Sequence, residues 1–103
     1  MKILDDITGI GDKQEQVKSL AGVRINPNPF DISTTLTYSL KDTREVHISV
    51  FDQQGKLIKI LLDDTQTPGE YSIDVQGSGL ESGVYLCLLR AGNEHVTYKM
   101  IKR

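Results

Sequence analysis

From Val23 to Arg103 apolar and polar residues alternate in short runs. Leu36, Tyr38 and Leu40 are separated by Thr37 and Ser39, and Val46, Ile48 and Val50 by His47 and Ser49. Tyr71, Ile73 and Val75 alternate with Ser72 and Asp74, and Val96, Tyr98 and Met100 with Thr97 and Lys99. Period two turns one set of side chains toward a core and the other toward water, as antiparallel strands do. Two further runs are apolar at nearly every position: Leu57 to Leu62, interrupted by Lys59, and Val84 to Leu89. These read either as strands covered on both faces or as surface that meets a partner.

Turn signals punctuate the runs. They are Lys41-Asp42-Thr43, Gln53-Gln54-Gly55, Asp63 to Gly69, Gln76 to Gly83, and Ala91-Gly92-Asn93. About seven strands with turns every 8–12 residues or so predict an all-β fold: an antiparallel immunoglobulin- or fibronectin-III-like β-sandwich. No helical periodicity lies between the strands, which argues against a parallel α/β sheet. Leu80 followed by Tyr85 has the spacing of a tyrosine corner, and Tyr85 stands two residues before Cys87, as in immunoglobulin domains. The lone Cys and the absence of Trp argue against a true immunoglobulin domain.

The stretch Met1–Ala21 reads differently. Asp5-Asp6, Gly9, Gly11 and a polar run from Lys13 to Gln16 suit a linker or arm. Asp12 and Glu15 have capping-box spacing, which allows a short helix over Lys13–Leu20 with Val17 and Leu20 on one side. The expected division is therefore an arm over residues 1–21 and a sandwich over 22–103. The arm is no secretory signal, because the acidic pair follows Lys2 closely and no apolar stretch comes after it. If the domain is exported, its targeting signal lies elsewhere, so the chain reads as a fragment of a longer protein.

Composition narrows the chemistry. Twelve Lys and Arg against 14 Asp and Glu give a net charge of −2 in 103 residues, the size of one domain. A general nucleic-acid binder needs a basic face to neutralise phosphates, and this balance argues against one. One Cys and two His cannot build a structural zinc site alone, and one Cys cannot form an internal disulfide. No apolar run approaches the ~18 residues of a membrane span.

Candidate chemistry is sparse. Gly77, Gly79 and Gly83 precede a strand rather than a helix, so they read as turn glycines needing positive φ and not as a phosphate loop. His47 and His95 occupy polar strand positions without an evident third metal ligand. Asp5-Asp6 and Asp63-Asp64 lack the ligand spacing of a calcium loop. Cys87 reads as a small buried hydrophobe, and no hydroxyl carries a recognisable base-bearing motif. No enzyme and no cofactor are expected. Asn26-Pro27-Asn28-Pro29-Phe30 can be neither helix nor central strand, so it makes a stiff extended lead-in whose Phe30 tucks against one end of the sandwich.

These residues carry a resemblance. Asn26-Pro27-Asn28-Pro29-Phe30, Ser33-Thr34-Thr35 and Leu36 to Leu40 resemble the opening of type IX secretion system C-terminal sorting domains, also called Por secretion tails. Val46 to Asp52 with Gly55-Lys56-Leu57-Ile58, then Pro68-Gly69-Glu70-Tyr71, follow in the family's order. Gly79-Leu80-Glu81-Ser82-Gly83-Val84-Tyr85 is similar to its most recognisable stretch, and Val96 to Arg103 to its short basic ending. A flagellar hook-capping immunoglobulin-like domain shares much of this pattern. The proline-rich opening and the basic ending carry the specificity for secretion. Leu86-Cys87-Leu88-Leu89 departs from the family's more usual mix of aromatic and polar residues.

The resemblance implies an address, not a catalyst. It implies an N-terminally attached cargo, export through the periplasm to the cell surface or medium, an outer-membrane translocon that reads the folded domain, and a sortase-like peptidase that cuts near the arm. The residues it points to for recognition are Pro27, Asn28, Pro29, Phe30, Gly69, Tyr71, Gly83, Val84, Tyr85, Lys99, Met100, Lys102 and Arg103. The last strand, with its lysines, offers an edge that a receptor strand could join. The alternative is a fibronectin-III-like spacer or accessory binding module of a larger surface enzyme or adhesin.

Overall fold

The alternating runs pair into two antiparallel sheets in a computed structural model that describes residues 19–103. The strands are β1 (Leu20–Asn26), β2 (Ser33–Leu40), β3 (Arg44–Phe51), β4 (Leu57–Gln66), β5 (Gly69–Gln76), β6 (Gly83–Ala91) and β7 (Glu94–Lys102). One sheet has three strands in the order β1-β2-β5, and the other has four in the order β4-β3-β6-β7. This is the expected seven-strand sandwich. Among the described residues no helix is long and apolar enough to cross a membrane.

The core is what period two selects. Leu36, Tyr38 and Leu40 of β2 and Val75 of β5 face Val46, Ile48 and Val50 of β3, with Tyr85, Cys87, Leu89 and Ala91 of β6 and Met100 of β7. Val46, Ile48, Val50 and Met100 are fully buried. The Tyr85 hydroxyl donates to the Glu81 carbonyl at 2.7 Å, which makes the tyrosine corner real. Tyr38 stacks on Tyr71, ring centroids 5.5 Å apart, and donates across the sandwich to the Gln66 side chain.

Three elements differ from the pattern. The first strand begins at Leu20, inside the stretch that composition assigns to the arm; Leu20 pairs with Leu40 and Ala21 with Ser39. Its register then shifts between Ala21 and Arg24, where Gly22 takes a φ of 61° that suits glycine. Leu20 is thus in a strand and does not end a helix, while the rest of the expected helix, Lys13 to Lys18, lies outside the described residues. Asp63 to Gln66 belong to β4 and not to a turn, because an exposed edge strand tolerates charge: Asp63 lies opposite His47 and Asp64 opposite Val46. Lastly, only one face of Val84–Leu89 is buried, with Tyr85, Cys87 and Leu89 inside and Val84, Leu86 and Leu88 half-buried outside.

Two core groups resist ionisation. Burial pushes the Cys87 thiol up from 9.0 to about 11. Burial pushes the Tyr38 phenol up from 10.0 to about 12, although its bond to Gln66 acts the other way. Both folded values are raised, so the stability these groups contribute is whole below their ordinary values. It is lost as pH rises through the folded ones. Urea denaturation at stepped pH is expected to show stability declining between about 9 and about 12, with Tyr38→Phe removing the upper part of the decline. A flat profile in that window would contradict the burial of both groups.

Candidate recognition surface

The proline-rich lead-in cannot extend a sheet by ordinary means, since Pro27 and Pro29 have no N–H to give. Both X-Pro bonds, Asn26-Pro27 and Asn28-Pro29, are cis. The side chain of Asn28 supplies what the backbone lacks. Its Nδ2 donates to the Lys99 carbonyl at 2.8 Å and its Oδ1 accepts from the Ile101 N–H at 2.8 Å. A primary amide carries one donor end and one acceptor end, so it can stand in for a peptide unit beside a strand. Two residues on, the backbone takes over: Phe30 N–H donates to the Ile101 carbonyl at 2.9 Å, and Arg103 N–H donates to the Phe30 carbonyl at 2.9 Å. This is a parallel bridge between Phe30 and Lys102.

Burial locks the clasp from beneath. Phe30 is 1% exposed, and Met100 lies under the strand it grips. The hydroxyl of Thr34, itself buried, donates to the Pro27 carbonyl. Lys102 runs over Gly77, where a Cβ would come within 2.7 Å of Lys102 Cε and 3.0 Å of the Asp31 and Ile32 carbonyl oxygens. Gly77 is therefore glycine for want of space. It does not have the positive φ expected of it, whereas Gly79, at φ 84°, does. Arg103 Nε lies 3.9 Å from the Asp31 carboxylate, both exposed, which makes a weak pair in water.

Most of the residues singled out in the sequence thus converge. Pro27, Asn28, Pro29, Phe30, Gly83, Val84, Tyr85, Lys99, Met100, Lys102 and Arg103 gather at one end of the sandwich, where Gly83 lies opposite Lys102 and Tyr85 opposite Met100. Gly69 and Tyr71 do not join them. Gly69 pairs with Leu40 toward the other end, and the Tyr71 hydroxyl is tied to the Thr67 carbonyl. Thr34, Asp31 and the space-starved Gly77 take part without having been singled out for recognition. Only the lack of a side chain at Gly77 hinted at its role. Beside this end, the Asp52–Lys56 turn and the Gly79–Tyr85 stretch line an open groove of about 450 Å³.

The two edges of the four-stranded sheet are blunted, each by its own device. In β7 the backbone groups of Ile101 both turn to the lead-in, so those of the odd-numbered residues point away from β6. The clasp takes them from the Lys99 carbonyl to the Arg103 N–H; among the described residues only the backbone groups of His95 and Thr97 and the Lys99 N–H are left open. The edge expected to receive a receptor strand is already occupied at its basic end by the chain itself. At β4, register shifts follow Ile48 and Val50 in the facing strand. Lys59 lies opposite the core residue Val50 and reaches the Gln76 carbonyl at 3.4 Å, an inward-pointing charge of the kind that discourages strand addition.

A family model described as the secretion system C-terminal sorting domain matches residues 24–103. No curated protein and no solved structure matches the chain. The matched span covers most of the sequence and contains both halves of the clasp, the Asn28–Phe30 lead-in and the Lys99–Arg103 strand end. The chain belongs to the family of secretion system C-terminal sorting domains.

Proposed function

We propose that the folded domain is a non-catalytic delivery label read at the clasped end of the sandwich. The family role is that of a sorting signal in type IX secretion, which implies an attached cargo and export to the cell surface or medium. In this reading the cargo precedes the domain, the residues before Ser19 serve as the tether, and the attached protein passes through the periplasm to an outer-membrane translocon. A sortase-like peptidase then cuts near the tether. The observation that carries the proposal is the joining of the two family motifs, 71 to 73 residues apart, through one asparagine side chain. Exposed Pro27, Asn28, Pro29, Lys99 and Arg103 form the face that is read, and buried Phe30, Tyr85 and Met100 hold it in shape. What is read is the closed end and not an open strand edge.

The test fuses the 103-residue chain behind a reporter with its own signal peptide, in a strain with a working type IX system. Reporter at the surface or in the medium is the expected result. A reporter left in the periplasm, where a known tail exports it, sinks the proposal. Lys99→Glu with Arg103→Glu changes only exposed side chains and is expected to cut export several-fold while leaving circular dichroism unchanged. Undiminished export of that variant would remove the basic end from the recognition surface.

A further inference from the structure

The two outward faces of the sandwich are unlike. The outer face of the three-stranded sheet is polar: Ser33, Thr35, Thr37 and Ser39 of β2 lie beside Gln76, Asp74, Ser72 and Glu70 of β5. The outer face of the four-stranded sheet is apolar at its centre. Leu57, Phe51 and Leu86 form one cross-strand row, which ends in Lys99 on β7, and Ile60, Ser49 and Leu88 form the next, which ends in Thr97. Ile60 is 60% exposed and Leu57 47% exposed, and nothing among the described residues covers this face. Apolar side chains side by side on adjacent strands form a contiguous patch of the kind that marks an interaction site, and the polar face of the same molecule is its internal control.

Charge on this face is divided. Next to the apolar rows, Asp63, His47, Arg90 and His95 form a row from β4 to β7. The β3–β4 corner carries the carboxylates Glu45 and Asp63, both beside His47. The β6–β7 corner carries Arg90 and His95, which pair with no carboxylate among the described residues. A twofold axis parallel to the strands and lying between two such faces sets β4 over the other copy's β7, and β3 over its β6. That operation brings each acidic corner to a basic corner, lays Phe51 and Leu86 of one copy on Leu86 and Phe51 of the other, and sets Leu57 and Ile60 over the aliphatic stem of Lys99 and over Thr97. A face that complements itself under a twofold is what an isologous interface requires. Aligned sheet-on-sheet packing is also the ordinary way for two such faces to meet.

We propose that this face binds a second copy of the chain, as a symmetric dimer. The inference does not rest on the sorting role, although Lys99 lies on both surfaces. Four strands about 4.8 Å apart and about eight residues long offer roughly 500 Å² in projection, less than a standard stable interface, so the dimer is weak. Sedimentation equilibrium of the full chain is the test. A monomer–dimer equilibrium with a dissociation constant between about 0.01 and 1 mM is expected. Leu88→Lys, at the centre of the face, is expected to weaken it at least about ten-fold. Arg90→Glu should weaken it through exposed groups alone, and adding Glu45→Arg should restore part of it, because opposite charges then face each other again at positions 45 and 90. A chain that stays monomeric at about 1 mM overturns the proposal and leaves the face to a different protein. So does a dimer indifferent to Leu88→Lys and to Arg90→Glu, and so does a failed rescue by the paired swap.

Discussion

Phe30→Ala is expected to cost the domain about 3–5 kcal/mol, the range for removing a buried aromatic ring. Phe30 is 1% exposed, and its backbone makes two of the hydrogen bonds that hold the strand end, to the Ile101 carbonyl and from the Arg103 N–H. Folded domains of this size hold only about 5–15 kcal/mol in reserve, so the loss is a large fraction of the whole. Urea denaturation followed by tyrosine fluorescence measures it. The same variant should lose hydrogen-exchange protection first at the amides of Ile101 and Arg103, because those are the donors the lead-in shields. Phe30→Leu keeps much of the volume and should recover part of the loss. A cost below about 1 kcal/mol would mean that the lead-in is not anchored in the core.

Removing Lys99 to Arg103 is expected to unfold the domain, not merely to erase an address. Met100 is fully buried and lies opposite Tyr85 in the sheet. Loss of a buried Met side chain alone costs about 2–5 kcal/mol, before the strand pairing and the clasp are counted. The truncated chain should show collapsed near-ultraviolet dichroism and rapid proteolysis. If it keeps the dichroism of the intact chain, the last strand is dispensable for folding. This result decides how export experiments are read: a failed tail deletion reports lost structure, and only exposed substitutions such as those at Lys99 and Arg103 report recognition.

Legibility of the fold in the sequence followed the regularity of each strand. β2 and β3 alternate strictly from Leu36 to Val50, face one core, and were readable without structure. β1 was not, because the glycine bulge after Ala21 breaks its alternation. Asp63-Asp64 suggested a turn because acidic pairs usually sit in turns, yet at an edge strand one side of the backbone meets water and charge is tolerated. For the clasped end, the motifs were visible but their meeting was not. Asn28 pairs with a strand 71 residues away through a side chain, and local patterns of polarity carry no information about such a partner. The apolar run Val84–Leu89 allowed a strand buried on both faces or a partner-facing surface; in the sandwich it is buried on one face and half-exposed on the other.

The Asn28 clasp also sets a clock. Its two halves leave the ribosome about 70 residues apart, Asn28 before its partners. A nascent chain that has not reached Ile101 and Arg103 cannot display the closed end, because those backbone donors do not yet exist, and a chain whose sheets have not met cannot bring them to the lead-in. An address built this way certifies that synthesis has passed residue 103 and that both sheets have come together. A machine that reads it need not inspect the folding of the domain separately.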